Sequence, residues 1–198
     1  MVRVATRSQL TAEEYLAWER AQLDRHEFHD GEVFAMAGGS PRHTWLVGNV
    51  LAVAKQVLDG RCFTFTPDQR VTFDHGRRYV YPDTSIVCGS VDVVSNDVLT
   101  NPSVVVEVLS ASTEAYDRGL KWEGYQRIAS LTDYLLVAQH EVRVEHFRRH
   151  ERGWLYTAYG AGDRIALANG ALLEVDAIYA RAFELPGDPP PTVPDDER

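Results

Sequence analysis

Three charged residues stand where charge is costly. Glu107 interrupts the apolar run Val104-Val105-Val106-Glu107-Val108-Leu109. A lone carboxylate in such a strand is strongly unfavourable unless it is paired or bound to a metal. It reads as a functional acid, as half of a structural ion pair, or as a residue at the strand's exposed end. Asp83 follows Pro82 in a second apolar segment, YVYPDTSIV, 24 residues earlier. Proline removes a ladder donor and marks an edge or an interruption, so Asp83 is either a plain turn residue or an acid aimed out of the sheet. Lys121 lies four residues after Asp117 in a helical segment, and Tyr125 continues that face. The spacing gives a surface ion pair or a lysine carried back over the sheet toward Glu107. Two acids on adjacent strands plus a lysine are the groups that phosphodiester hydrolysis uses. Carboxylates hold a hard divalent ion, Mg²⁺ or Mn²⁺, through oxygen. The ion polarises phosphate and acidifies water. An ammonium orients that water or neutralises charge in the transition state.

The elements that must position these groups are legible as patterns. Thr11 to Arg20 is a short helix with a capping box, Thr11 to Glu14. Asp30-Gly31 between two alternating runs signals a hairpin. Ser40-Pro41 opens a second helix, with Leu46, Val50, Val53 and Val57 at helical spacing and Asp59-Gly60 as its stop. Short β-branched and aromatic runs follow at 62–66, 69–73, 79–88 and 103–109. The last is almost wholly apolar and reads as an internal strand buried on both faces. Residues 113–129 form a helix, irregular at Gly119, and strands recur at 134–138, 142–147 and 154–159 before a short ending near LLEVDAIYA. The order predicts an α/β (α+β) domain, a mixed sheet flanked by helices, over residues 1–185.

Composition agrees and excludes several classes. Of 198 residues, 44% are apolar and 25% charged, which is ordinary for a globular chain. No apolar run approaches a membrane span, and the N-terminus has no apolar core of the kind a signal peptide carries. Cys62 and Cys88 make neither a disulfide framework nor a zinc site, so a cytoplasmic protein with both thiols reduced is expected. The last thirteen residues, PGDPPPTVPDDER, hold five prolines and read as a disordered tail over 186–198. Of the net charge of −9, −3 lies in that tail (four acids, one arginine), leaving −6 on the body. Such a balance argues against bulk electrostatic binding of nucleic acid.

Four stretches carry a family resemblance: TAEEYLAWE, HEFHDGEVFAMAGGSPRHTWLVGNVL, YPDTSIVCG and PSVVVEVLSASTEAYDRGLKWEGYQ. From about Thr11 to Ala180 the sequence resembles the PD-(D/E)XK nuclease superfamily, and within it the bacterial Uma-type restriction endonuclease family. The resemblance implies a restriction-endonuclease-like core and a Mg²⁺- or Mn²⁺-dependent endonuclease acting on DNA, plausibly as a homodimer. Asp83 matches the acid of the "PD" half and Glu107 the acid of the second half. Leu109 stands where the superfamily's lysine usually follows, and Lys121 matches a lysine moved onto the helix. Glu27 matches an N-terminal acid able to complete the metal shell, or is a hairpin surface acid. His43 matches a position that could touch phosphate, or helps cap and pack its helix. Gln139 stands where relatives commonly carry an acid and receives no catalytic weight. Arg42, Arg77, Arg78, Arg118 and Arg127 are candidates for DNA backbone contacts or ordinary surface charges. His140, His146 and His150 do not match metal spacing. The competing readings are a non-catalytic DNA-binding or protein-interaction module on the same fold, and a hydrolase of smaller phosphodiesters.

Overall fold

A capping box starts the first helix of the computed structural model, which describes residues 6–188 apart from 8, 37 and 59. Thr11 Oγ1 accepts from Glu14 N–H at 3.2 Å, and the Glu14 carboxylate accepts from Thr11 N–H at 2.8 Å. That closes the exposed donors at the head of α1 (Ala12–Glu19). Strands β1 (His26–His29) and β2 (Glu32–Ala35) form the expected hairpin. Asp30 and Gly31 both take positive φ, 47° and 98°, as a tight two-residue turn requires. Helix α2 (Pro41–Leu58) buries Leu46, Val47, Val50, Val53, Ala54 and Leu58; Asp59, read as part of its stop, lies outside the described residues.

The strands then sort into two mixed six-stranded sheets. Strands β3 (Cys62–Phe65), β4 (Arg70–Phe73), β5 (Arg78–Val80), β6 (Thr84–Cys88), β7 (Val93–Val94), β8 (Val98–Leu99) and β9 (Val104–Val108) precede the third helical region. Strands β10 (Asp133–Val137), β11 (Val144–His150) and β12 (Gly153–Tyr159) follow it. One sheet has the order β2-β1-β5-β4-β8-β7, the other β12-β11-β10-β9-β6-β3. A small hairpin of β13 (Arg164–Ala166) and β14 (Leu172–Glu174) completes the strands. The run 79–88, expected as one strand, is divided. β5 belongs to the first sheet and β6 to the second, and the chain changes sheet at Tyr81-Pro82-Asp83. Pro82 has no N–H for either ladder, so the break falls where it costs no hydrogen bond. Asp83 is thereby placed at the corner between the sheets.

The expected internal position of the Glu107 strand holds. β9 pairs in parallel with β10 and antiparallel with β6, and all five of its residues are buried. Val104, Val106 and Val108 pack with α2 on one face. On the other face, Val105 and Leu109 pack with Tyr125, Leu131, Tyr134 and Leu136. A third cluster, around Tyr15, Phe28, Val33 and Tyr79, joins α1 to the first sheet.

Two expectations need correction. The segment 113–129, expected as one helix irregular at Gly119, is irregular there but shorter and made of three pieces. It comprises α3 (Glu114–Tyr116), a π-helical turn (Asp117–Lys121) and α4 (Trp122–Tyr125). Gly119 sits within the widened turn, and Gly124 lets α4 approach so closely that a Cβ there would collide with the Phe73 ring. The cysteines are not reduced thiols: Cys62 and Cys88 form a disulfide. They face each other directly across β3 and β6, with Cα atoms 4.1 Å apart, a pairing set by strand register across 26 residues of sequence. After β14 the chain forms α5 (Val175–Ile178). Of the tail expected from Pro186, residues 186–188 are described and lie against α2, where Arg42 N–H donates to Pro186 O at 3.1 Å; 189–198 lie outside the described residues. No helix among the described residues is long and apolar enough to cross a membrane.

Candidate active site

Glu107 projects from the face of β9 that meets α4, since it shares the parity of Val105 and Leu109. Register sets its neighbour. Thr84 pairs with Val106, so the next residue back, Asp83, comes beside Glu107. The two interlock through backbone donors. Asp83 N–H approaches Glu107 Oε2 at 3.3 Å, and Val108 N–H donates to Asp83 Oδ2 at 2.7 Å. The two acids read from the sequence therefore stand side by side.

Lys121 completes the arrangement. It is 5% exposed, and its Nζ lies 3.0 Å from Glu107 Oε1, 3.2 Å from Asp117 Oδ1 and 3.3 Å from Glu27 Oε1. The ammonium points inward and not into solvent. Asp117 and Lys121 stand at the two ends of the π turn, and both are buried. Glu27 arrives from β1 of the other sheet, where Tyr81 N–H reaches its Oε1 at 3.4 Å. His43, near the start of α2, places Nε2 3.4 Å from Asp83 Oδ2. All five residues singled out in the sequence (Glu27, His43, Asp83, Glu107 and Lys121) thus converge.

Three further residues, none given a functional role in the sequence analysis, lie around these groups. Tyr125 is fully buried and donates its hydroxyl to Glu107 Oε1 at 2.8 Å; its place on the Asp117–Lys121 face was the available signal. The Tyr116 ring lies 5.4 Å from Lys121 Nζ, and its hydroxyl hydrogen-bonds His29 Nε2. Gln139 is 1% exposed, accepts from Ser40 Oγ at 3.0 Å and donates to Leu109 O at 2.6 Å. The arginines considered for DNA contacts are engaged within the chain. Arg118 meets Glu114 and Glu145, Arg127 meets Asp74 and Glu123, and Arg77 meets Asp30. Arg78 donates to Leu120 O, and Arg42 to Leu185 O. His146 pairs with buried Asp133 at 2.8 Å.

Charge is the site's distinguishing property. Glu27, Glu107 and Asp117 gather around one ammonium, and Asp83 stands beside Glu107 and His43. Burial, assisted by the neighbouring Asp117 and Asp83 and opposed by Lys121, pushes Glu107 up to about 8. Asp117 is also raised, again first by burial. Burial pulls Lys121 down, but Glu107, Glu27 and Asp117 outweigh it and hold the ammonium well above its ordinary value. The acids are thus shifted toward their neutral forms while the lysine is held in its charged form, and the cluster titrates as one coupled group. His43 behaves similarly: burial lowers it, while Asp83 and Asp188 bring it above its usual value.

The residues fit a hard divalent cation in chemistry. Carboxylate oxygens predominate, and they outnumber the cationic groups. They are not drawn into metal-ligand geometry, for no group of three His, Cys, Asp or Glu among the described residues is so arranged. Lys121 instead bridges Glu27 and Glu107.

Comparison with known proteins assigns the chain to a family. The profile of Uma2, described as "Putative restriction endonuclease", covers residues 12–179. The chain belongs to the Uma2 family. Two proteins of Synechocystis sp., both described as uncharacterized, are similar to it. One is 39% identical over 173 residues, spanning 86% of this chain and 91% of the relative. The other is 35% identical over 161 residues, spanning 79% and 91%. A crystal structure from Anabaena variabilis, titled a putative nuclease belonging to DUF820, aligns with a TM-score of 0.71 over 87% of this chain and 99% of that one. At 14% identity that likeness is one of fold. The Uma2 match contains every acid of the cluster, Lys121 and Tyr125; residues 185–188 lie beyond it.

Proposed function

We propose that the protein is a divalent-metal-dependent nuclease that hydrolyses phosphodiester bonds in DNA. The observation that carries this reading is Glu107: a buried acid held between Lys121 and Tyr125 on one oxygen and Asp83 on the other, with its pKa driven far upward. Perturbed acids of this kind mark functional sites. The family description and the fold relative support the same reading.

Asp83, Glu107 and Glu27 would hold Mg²⁺ or Mn²⁺. When bound, the ion supplies Lewis-acid activation of phosphate and of attacking water. The remaining work belongs to the chain. Val108 N–H holds the Asp83 carboxylate and the Tyr125 hydroxyl holds Glu107, which keeps the two acids side by side. Lys121 stands beside the acids with a compact charge, suited to neutralising negative charge that develops on phosphoryl oxygens. His43 lies on the α2 side of Asp83, where a flanking phosphate can be met. Cutting both strands of a duplex calls for two such sites, which a homodimer would supply.

The test is plasmid cleavage with Mg²⁺ or Mn²⁺, comparing the parent with Glu107→Ala and with a chelator. The parent should nick or linearise the plasmid, and both controls should be inert. Metal-dependent cleavage that survives in Glu107→Ala would overturn the assignment.

A further inference from the structure

The last described residues run back across the start of α2. Arg42 holds them. Its Nε and Nη2 donate to Leu185 O at 3.1 and 2.8 Å, its backbone N–H donates to Pro186 O at 3.1 Å, and its guanidinium lies 5.1 Å from the Phe183 ring centroid. Gly187 passes so close that a Cβ there would lie 2.8 Å from Arg42 Nη1. The next residue, Asp188, is received by Gln139, whose Nε2 donates to Asp188 Oδ2 at 3.0 Å. Gln139 is itself locked by Ser40 and Leu109 O, so its amide is a fixed donor. Asp188 is also near enough to His43 to act on it electrostatically, and His43 contacts Asp83.

A carboxylate from the far end of the chain thus stands at the margin of a cluster already rich in acids. Coulomb repulsion disfavours it there, and the Gln139 amide and His43 ring offset that. Those donors equally suit a phosphodiester oxygen, which carries the same unit of negative charge. The segment is also lightly held. None of Leu185–Asp188 is buried, so releasing it exposes little apolar surface.

We propose that Leu185–Asp188 is a displaceable strap whose Asp188 carboxylate fills the place of a substrate phosphate beside His43 and Gln139, so that the chain competes with nucleic acid for its own site. This rests on the nuclease reading. The strap lies outside the Uma2 match, which ends at residue 179.

The test is the affinity of the full-length protein for a short fluorescent DNA duplex, read by anisotropy in calcium buffer. Asp188→Asn keeps the shape and removes the charge. Glu151→Gln, an exposed acid in the β11–β12 turn, controls for net charge. Asp188→Asn should lower Kd by about three- to tenfold, and Glu151→Gln by less than about twofold. Asp188→Ala should match Asp188→Asn, and circular dichroism checks that each variant is folded. If Asp188→Asn binds no tighter than the parent, or both acids have equal effects, the strap is overturned and the nuclease reading stands. If no chain binds DNA, the parent included, both fall.

Discussion

Two buried charged networks lie on either side of Tyr81, and they are built on opposite principles. One side holds Glu19, His26, Arg70, Asp97 and Arg20. Arg70 Nε and Nη2 donate to Tyr81 Oη at 2.9 and 2.6 Å, Tyr81 donates to Glu19 Oε1 at 2.9 Å, and Arg20 grips Asp97 with two bonds of 3.0 and 2.8 Å. Two arginines offset two acids. The other side, reached through Tyr81 N–H and Glu27, sets four carboxylates against one lysine. Balanced charge with complete hydrogen bonding holds α1 to the first sheet. Unbalanced charge, with Glu107 lifted to about 8, is the feature on which the proposed cation and phosphate chemistry rests. Burial is common to both networks; net charge is what distinguishes them.

Breaking the balanced side should have the largest effect on stability. Arg70→Met leaves Glu19 and the Tyr81 hydroxyl buried without their cation and should cost about 3–5 kcal/mol in urea unfolding. Cleavage by the fraction still folded should persist. Breaking the unbalanced side should have its largest effect on rate. Lys121→Ala should reduce plasmid cleavage by about 10²–10³-fold, the loss expected for one preorganised transition-state contact. Lys121→Arg should not restore it, because a planar guanidinium does not replace a compact ammonium. Wild-type cleavage by Lys121→Ala would remove the lysine from the mechanism.

A titration sharpens the contrast. Glu107 has a folded pKa of about 8 against an ordinary 4.5, so its contribution to stability is fully present below 4.5 and is lost as pH rises toward 8. Glu107→Gln carries no such loss. In chelator, the stability of Glu107→Gln relative to the parent should therefore improve by about 1–3 kcal/mol between pH 5 and pH 8, and level off above that. A constant difference across this window would show that Glu107 is not frustrated. The smallest effect belongs to the balanced network's rim. Arg20 and Asp97 are over 40% exposed, so Arg20→Ala should cost only about 0.2–1 kcal/mol, less at high salt. Asp97 is held below its ordinary value chiefly by Arg20, so that contribution is present above about pH 4 and fades as pH falls through the lowered pKa.

Local rules determined much of this protein. Thr11 and Glu14 had to cap a helix, Asp30-Gly31 had to turn a hairpin, and a valine run with a single charge in it had to be an internal strand. Glu107 in that run demanded a partner, and the Asp117–Lys121–Tyr125 spacing supplied candidates on one face. Each of these follows from contacts between residues a few positions apart, or from the cost of burying one charge. Other features belong to the tertiary structure alone. The corner at Pro82 assigns β5 and β6 to different sheets, and only that division brings Glu27 from one sheet to Glu107 in the other. The π turn, the Cys62–Cys88 pairing and the buried amide of Gln139 likewise depend on register and on packing between segments distant in sequence. A single side chain's pattern carries its own preference for burial, but not the identity of the strand that will lie beside it; that is decided by which pairing of all the strands buries the apolar faces and leaves no backbone donor unmet.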